Sequence, residues 1–279
     1  HVDPDAGDRA VAAAVGVNVA LTVAEIVGGL LSGSVALIAD AVHNLSDAAS
    51  LGIAWFARRI GRRPTDATMT FGYKRAELVA ALINLTTLIV IGLYLIYEAV
   101  QRFFAPVEVI GWLMICVSVF ALIVDAVTAW LTYRLSKESV NIRAAFLHNV
   151  ADALGSVAVI VTGLLIVSFG WSWADPLATL LIAGYILWMA VGEIRGVIRT
   201  LMLGTPPGIE PDEVLAAMET VEGVASVHHL HIWQISERVF PMEAHLLADA
   251  ETLPQIARVK GRLRDMLHTR FEITHVTLD

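Results

Sequence analysis

Long apolar runs separated by short polar breaks fill the first two hundred residues, at about 9–32, 35–57, 76–103, 109–134, 141–169 and 174–199. Each is long enough to cross a bilayer core as a helix. Six membrane-spanning helices are therefore expected, the first two joined by a tight turn at Ser32, Gly33 and Ser34. The pattern changes at Pro206-Pro207-Gly208. Beyond that break a helix is expected to start near Pro211 and Asp212. Alternating runs follow at 226–235 and 239–247, then a second helix at 253–268 and a last strand at 271–278. Such an α-β-β-α-β order predicts a small ferredoxin-like sheet with its helices on one face.

Composition separates the same two regions. Of the 279 residues, 57% are hydrophobic and 16% charged, against about a quarter charged in an ordinary soluble domain. Basic residues set the orientation: Arg58, Arg59, Arg62, Arg63, Lys74 and Arg75 lie between spans two and three, and Arg134, Lys137 and Arg143 between four and five. Those loops are expected to face the cytoplasm, which puts both termini on that side and leaves Trp171 and Trp173 as anchors at the opposite interface. The expected fold is thus an all-α six-helix transmembrane bundle over residues 1–203, followed by a C-terminal cytoplasmic α+β ferredoxin-like domain over 204–279. A tail of about 70 residues is marginal as a lone domain, which favours a homodimer. The net charge of -8 provides no basic stripe for nucleic acid. The single cysteine, Cys116, permits neither a disulfide framework nor a CxxC metal site.

One constellation occurs twice. Span two reads His43-Asn44-Leu45-Ser46-Asp47-Ala48 and span five reads His148-Asn149-Val150-Ala151-Asp152-Ala153. Four-residue spacing stacks His and Asp on one helix face. Three spans separate the motifs, so their helices run in opposite directions, as in an inverted repeat. Each motif lies roughly nine or ten residues from its span's end, about 15 Å deep, which is the midplane of a core about 30 Å thick. His43, Asp47, His148 and Asp152 are therefore expected to meet there. Two imidazoles and two carboxylates make a tetrahedral shell that suits zinc, with cobalt and cadmium close behind, rather than magnesium or calcium. The ligand list leaves manganese and iron open. An Asp at mid-helix costs roughly 2.5 to 3.5 kcal/mol to insert, and this chain carries that cost twice. Asp40, Asn44 and Asn149 read as supporting or packing groups, and the sequence assigns no partner to Glu25, Glu98 or Asp125.

These residues resemble the cation diffusion facilitator family, its zinc-exporting branch in particular. The resemblance runs through Gly28-Gly29-Leu30-Leu31-Ser32-Gly33-Ser34, Ala39-Asp40-Ala41-Val42-His43-Asn44, Phe71-Gly72-Tyr73-Lys74-Arg75-Ala76-Glu77, Leu147-His148-Asn149 and His228-His229-Leu230-His231-Ile232-Trp233. It implies a homodimeric secondary transporter, not an enzyme, that exports Zn2+ in exchange for protons by alternating access. Its transport-site pattern falls on His43, Asp47, His148 and Asp152, and His rather than Asp at the first position is associated with discrimination against cadmium. It also implies zinc in the cytoplasmic tail at His228, His245 and His275. Further tail ligands would fall at Val259 and Thr277, neither a good zinc ligand, leaving His229 or His231 as substitutes on one strand face. A third site in the loop after span two would need ligands near Asp66, Met69 and Tyr73. Only Asp66 qualifies, so that site is expected to be absent.

Metal binding needs neutral imidazoles and ionised carboxylates, so protons compete with zinc for the same lone pairs, and antiport can rest on that competition. A membrane metalloenzyme is disfavoured, since there is no HExxH helix and a closed four-ligand shell leaves no position for substrate water. A non-transporting zinc sensor or scaffold is the other alternative. It would need no charge at the midplane. The partners expected are the metal ion, membrane lipid and a second copy of the chain, in a bacterial inner membrane or, alternatively, an organelle membrane.

Overall fold

A computed structural model describes residues 4–135, 140–235 and 239–279. Six long helices come first: α1 (Pro4–Ser32), α2 (Val35–Gly61), α3 (Ala76–Phe104), α4 (Gly111–Leu135), α5 (Val140–Phe169) and α6 (Ala174–Leu201). They follow the six apolar runs. Among the described residues, Ala76–Phe104, Gly111–Trp130, Asn149–Phe169 and Ala174–Leu201 are long and apolar enough to cross a membrane, and α1 contributes a shorter apolar stretch, Val19–Ser32. In α2 the hydropathy is lowered by Asp40, His43, Asn44 and Asp47, the groups on which a buried polar site would depend. Lys137, one of the basic residues used to orient the chain, lies outside the described residues.

Helix α3 shows how side-chain pattern sets position. Leu85, Leu88, Gly92, Leu95 and Ala99 are buried at three- and four-residue spacing, while Val90, Leu93, Tyr94 and Tyr97 on the other side are exposed. An exposed apolar face of that kind is stable against hydrocarbon rather than water. Where α4 crosses α5, glycines let the backbones touch. A Cβ at Gly111 would lie 3.0 Å from the Gly163 carbonyl oxygen, and one at Gly163 would lie 3.1 Å from that of Gly111. Helix α1 ends at Gly33, whose φ of 74° is the left-handed conformation glycine adopts freely, and the chain re-enters as α2 two residues later.

The chain folds as two compact units, His1–Ala54 with Ile83–Glu193, and Trp55–Leu82 with Ile194–Asp279. Within the second, α7 (Pro211–Glu219), β1 (Val224–Ile232), β2 (Pro241–Ala248), α8 (Leu253–Phe271) and β3 (His275–Leu278) follow the anticipated α-β-β-α-β order. The sheet has the order β1-β2-β3, with β1 and β2 antiparallel and β2 and β3 parallel. Val214 and Met218 of α7 pack with Val259, Leu263 and Leu267 of α8 against Val227, Ile232, Met242 and Ala244 of the sheet.

Candidate metal centre

Helix α2 is fixed by small residues on its buried side. Ala36, Ala39 and Ala41 are fully buried. Val35 and Ala39 pack with Leu95 of α3 and Ala183 of α6, while Ala36 and Leu37 pack with Met114 of α4, Val159 of α5 and Ala178 of α6. Two turns beyond this core, His43 is 7% exposed. Its Nε2 lies 3.7 Å from Asp47 Oδ2, one turn along α2, and 3.2 Å from Asp152 Oδ1 on α5. One ligand atom from each of the three falls within 4.8 Å of the others. That is the spread of a coordination shell, so three of the four expected ligands are brought together. His148 is placed on α5, one turn before Asp152, and its side chain lies outside the described residues.

Around this group lie polar residues to which the sequence assigned no partner. Glu25 of α1 is fully buried and accepts a hydrogen bond of 2.9 Å from Asn44 Nδ2. Asp125 of α4 accepts one of 3.2 Å from Ser156 Oγ. Asp40 is buried against α5, where a Cβ at Gly155 would lie 3.0 Å from its Oδ1. Asn84 of α3 donates to Ser46 and Ser50 of α2 at 3.2 and 2.9 Å. Tyr185 of α6 presents its ring edge-on to the His43 imidazole, with centroids 6.4 Å apart, within the range of an aromatic pair. Hydrogen-bonding side chains in an apolar run were the only signal for these contacts, and a linear sequence does not say which helix answers which.

A second cluster forms on β1 and β2. His228 stands opposite His245 in the ladder. Their ring centroids are 5.5 Å apart, with His229 at 5.3 Å from the first and 4.9 Å from the second. One nitrogen from each lies within 4.8 Å of the others, and all three residues are exposed. Strict alternation would send His228 and His229 to opposite faces. They share one because the ladder shifts between His228 and His231 and His229 takes a φ of 52°, a bulge that turns the extra residue outward. His275 does not join them: it heads β3 opposite Pro241, four residues and about 13 Å along β2 from His245. Among the described residues it is His229, rather than His275, that brings a nitrogen within 4.8 Å of those of His228 and His245. Val259 is 3% exposed in the tail core, so it packs rather than ligates. A recess of about 160 Å³ beside the histidines is lined by His229, His231, Glu243, Ala244, His245 and Asp279.

In the loop between α2 and α3, Asp66 is occupied by its own neighbours. Its Oδ1 accepts from the Thr68 N–H and Oγ1 at 2.8 and 2.7 Å and from the Met69 N–H at 2.8 Å, while Oδ2 accepts from the Tyr73 hydroxyl at 2.6 Å. The Tyr73 and Thr68 donors hold the carboxyl well below the usual carboxylate range, and the same bond pushes the Tyr73 phenol up. This carboxylate stabilises a turn.

The family model described as the cation efflux transmembrane domain matches residues 11–202, and the cytoplasmic domain of cation efflux proteins matches 206–279. A cadmium, cobalt and zinc/H(+)-K(+) antiporter of Bacillus subtilis is 38% identical over 257 residues, 91% of this chain and 82% of that protein. Zinc transporter ZitB of Escherichia coli is 33% identical over 281 residues, covering 100% of this chain and 88% of its own. The metal cation efflux system protein CzcD of Cupriavidus metallidurans is 33% identical over 278 residues, 100% of this chain and 88% of that protein.

Proposed function

The chain belongs to the cation efflux family, and we propose that it is a zinc exporter that exchanges the metal for protons by alternating access. Metal cation efflux across a membrane follows from the family and from relatives named as zinc, cadmium and cobalt transporters. The finer reading rests on one observation above all. His43 and Asp47 of α2 and Asp152 of α5 lie within coordination range, buried or half-buried, where such groups are costly without a cation. His148 is proposed as the fourth ligand from its place one turn before Asp152.

Zinc is the cargo. At the inner side it meets neutral imidazoles and ionised carboxylates. When the site faces a more acidic medium, protons displace it, because each ligand lone pair holds either a proton or the metal. The membrane part is taken as residues 1–203, with six spans and both termini cytoplasmic, in a bacterial inner membrane. Residues 204–279 form the cytoplasmic tail that joins two copies, consistent with the match to the family's cytoplasmic domain. The histidine cluster of β1 and β2 is proposed as a lower-affinity zinc site in that tail.

The test is flux into proteoliposomes under an imposed pH gradient, screening zinc, cadmium, cobalt and manganese. Zinc should move uphill against the proton gradient. Equal zinc flux with the gradient collapsed would overturn the coupling, and zinc binding without any flux would favour a sensor.

A further inference from the structure

A second set of buried polar contacts lies at the N-terminal end of α2, the helix that carries half of the metal site. Ser34 precedes α2 and caps it, its Oγ accepting from the Leu37 N–H at 3.1 Å. The same hydroxyl donates to Asp175 Oδ1, at the start of α6, at 2.5 Å. Asp175 also accepts from the first two amides of α2, those of Val35 at 3.0 Å and Ala36 at 3.3 Å. Both Asp175 and Ser34 are fully buried. Arg102, in the last turn of α3, completes the group: Nη1 lies 3.9 Å from Asp175 Oδ2 and donates to the Gly33 carbonyl, while Nε pairs with Glu98 at 3.1 Å. One carboxylate of α6 thus answers the amide dipoles of α2, with an arginine of α3 behind it.

We propose that Asp175, backed by Arg102, is a positioning group for transport: it clasps the end of α2 to α6 and α3 in the state closed at that end, and its release opens the metal site there. This rests on the alternating-access reading above. The contacts fit a releasable closure because all are polar. Once parted, water can satisfy every donor and acceptor, which it cannot do for separated apolar surfaces. Val35, Ala36 and Leu37, whose amides take part in the clasp, also pack their side chains in the apolar cores of α2, so the clasp is a polar patch at the margin of an apolar core. Asp175 stands two turns or more from His43 along α2, so it touches neither the ion nor its ligands and acts through the helix.

The experiment uses full-length protein in proteoliposomes, with Cys116→Ser to remove the native thiol and Ser32→Cys as reporter, since Ser32 is 1% exposed beside the clasp. A membrane-impermeant thiol reagent is added on the clasp side. Asp175→Asn and Arg102→Met, each checked for folding by gel filtration, should speed modification about tenfold, the effect of losing a strong helix-capping contact. A bias toward opening at that end also leaves fewer molecules competent to load from the other. The KM for zinc there should rise by a similar factor, with Vmax per folded transporter nearly unchanged. The double variant should be no worse than Asp175→Asn alone. Modification rates within about twofold of the parent, or a fall in Vmax at constant KM, would overturn the clasp and leave Asp175 a structural cap. A parent protein that moves no zinc, yet whose variants label faster, would overturn the transport reading while the clasp stands.

Discussion

The trio of His43, Asp47 and Asp152 and the trio of His228, His229 and His245 offer similar donor atoms at similar mutual distances, yet their surroundings are opposite. The first is buried or half-buried among helices and contains two carboxylates. The second is exposed and contains none. Out of water, carboxylates need a counter-charge, and a dehydrated divalent ion provides it. Exposed neutral imidazoles need nothing, because water serves every lone pair. The same spread of ligand atoms therefore argues strongly for a cation in the helices and only weakly in the tail.

Substitutions that strike one cluster and spare the other would break or sharpen this contrast. The largest effect is expected from Asp152→Ala or Asp47→Ala in α5 and α2. Zinc flux in vesicles should fall by more than about a hundredfold, since even outer partners of a metal ligand are worth about 10- to 100-fold. Gel filtration should show the fold retained, and near-normal flux in both variants would remove the buried trio from its role. Next comes His43→Asp, which trades a nitrogen donor for oxygen. Since the family resemblance ties His at this position to discrimination against cadmium, the ratio of cadmium to zinc flux should rise by roughly tenfold, about 1.4 kcal/mol of discrimination, and an unchanged ratio would mean that selectivity is set elsewhere. A smaller effect is expected from joint replacement of His228, His229 and His245 by Ala. Flux should stay within about threefold of the parent, while one zinc equivalent per chain is lost in equilibrium dialysis of the full protein. A collapse of flux would make the tail cluster part of the transport path.

The smallest concerns Asp66, an exposed carboxylate stabilised by donors rather than by a cation. Its pKa is lowered on folding, so its stabilisation of the loop is complete above the unfolded carboxylate value and is lost as pH falls through the lowered one. Amide exchange at Thr68 and Met69, corrected for the intrinsic rate, should keep its protection between pH 7 and pH 5 in the parent. In Asp66→Asn that protection should already be reduced at pH 7.

Much of this was legible because it is written in local pattern. Apolar runs of helical length gave α1 to α6 within a few residues, and the repeated His-x-x-x-Asp placed Asp47 and Asp152 near a common point. What stayed hidden depends on long-range pairing or on one backbone angle. Asp175 beside Pro176 reads as an ordinary acidic residue at a helix start; its partners are the amides of Val35 and Ala36, some 140 residues away. The grouping of His229 with His228 follows from a left-handed residue inside a strand, which periodicity alone does not reveal. Glu25 and Asn44 were visible as polar residues in apolar helices, but only the packing of α1 on α2 joins them.

The contact of Gly111 with Gly163 has a mechanical consequence. A methyl on Gly111 would meet Val167 Cγ2 at 2.8 Å and one on Gly163 would meet Ile115 Cγ1 at 2.6 Å, each with the opposite carbonyl oxygen close behind, so it acts as a wedge under one arm of a lever. Asp152 sits eleven residues from Gly163 on the same rod, about 16 Å away, so a displacement too small to unfold anything can swing that carboxylate out of reach of His43. Alanine at this distant crossing should then mimic the loss of a ligand it never touches.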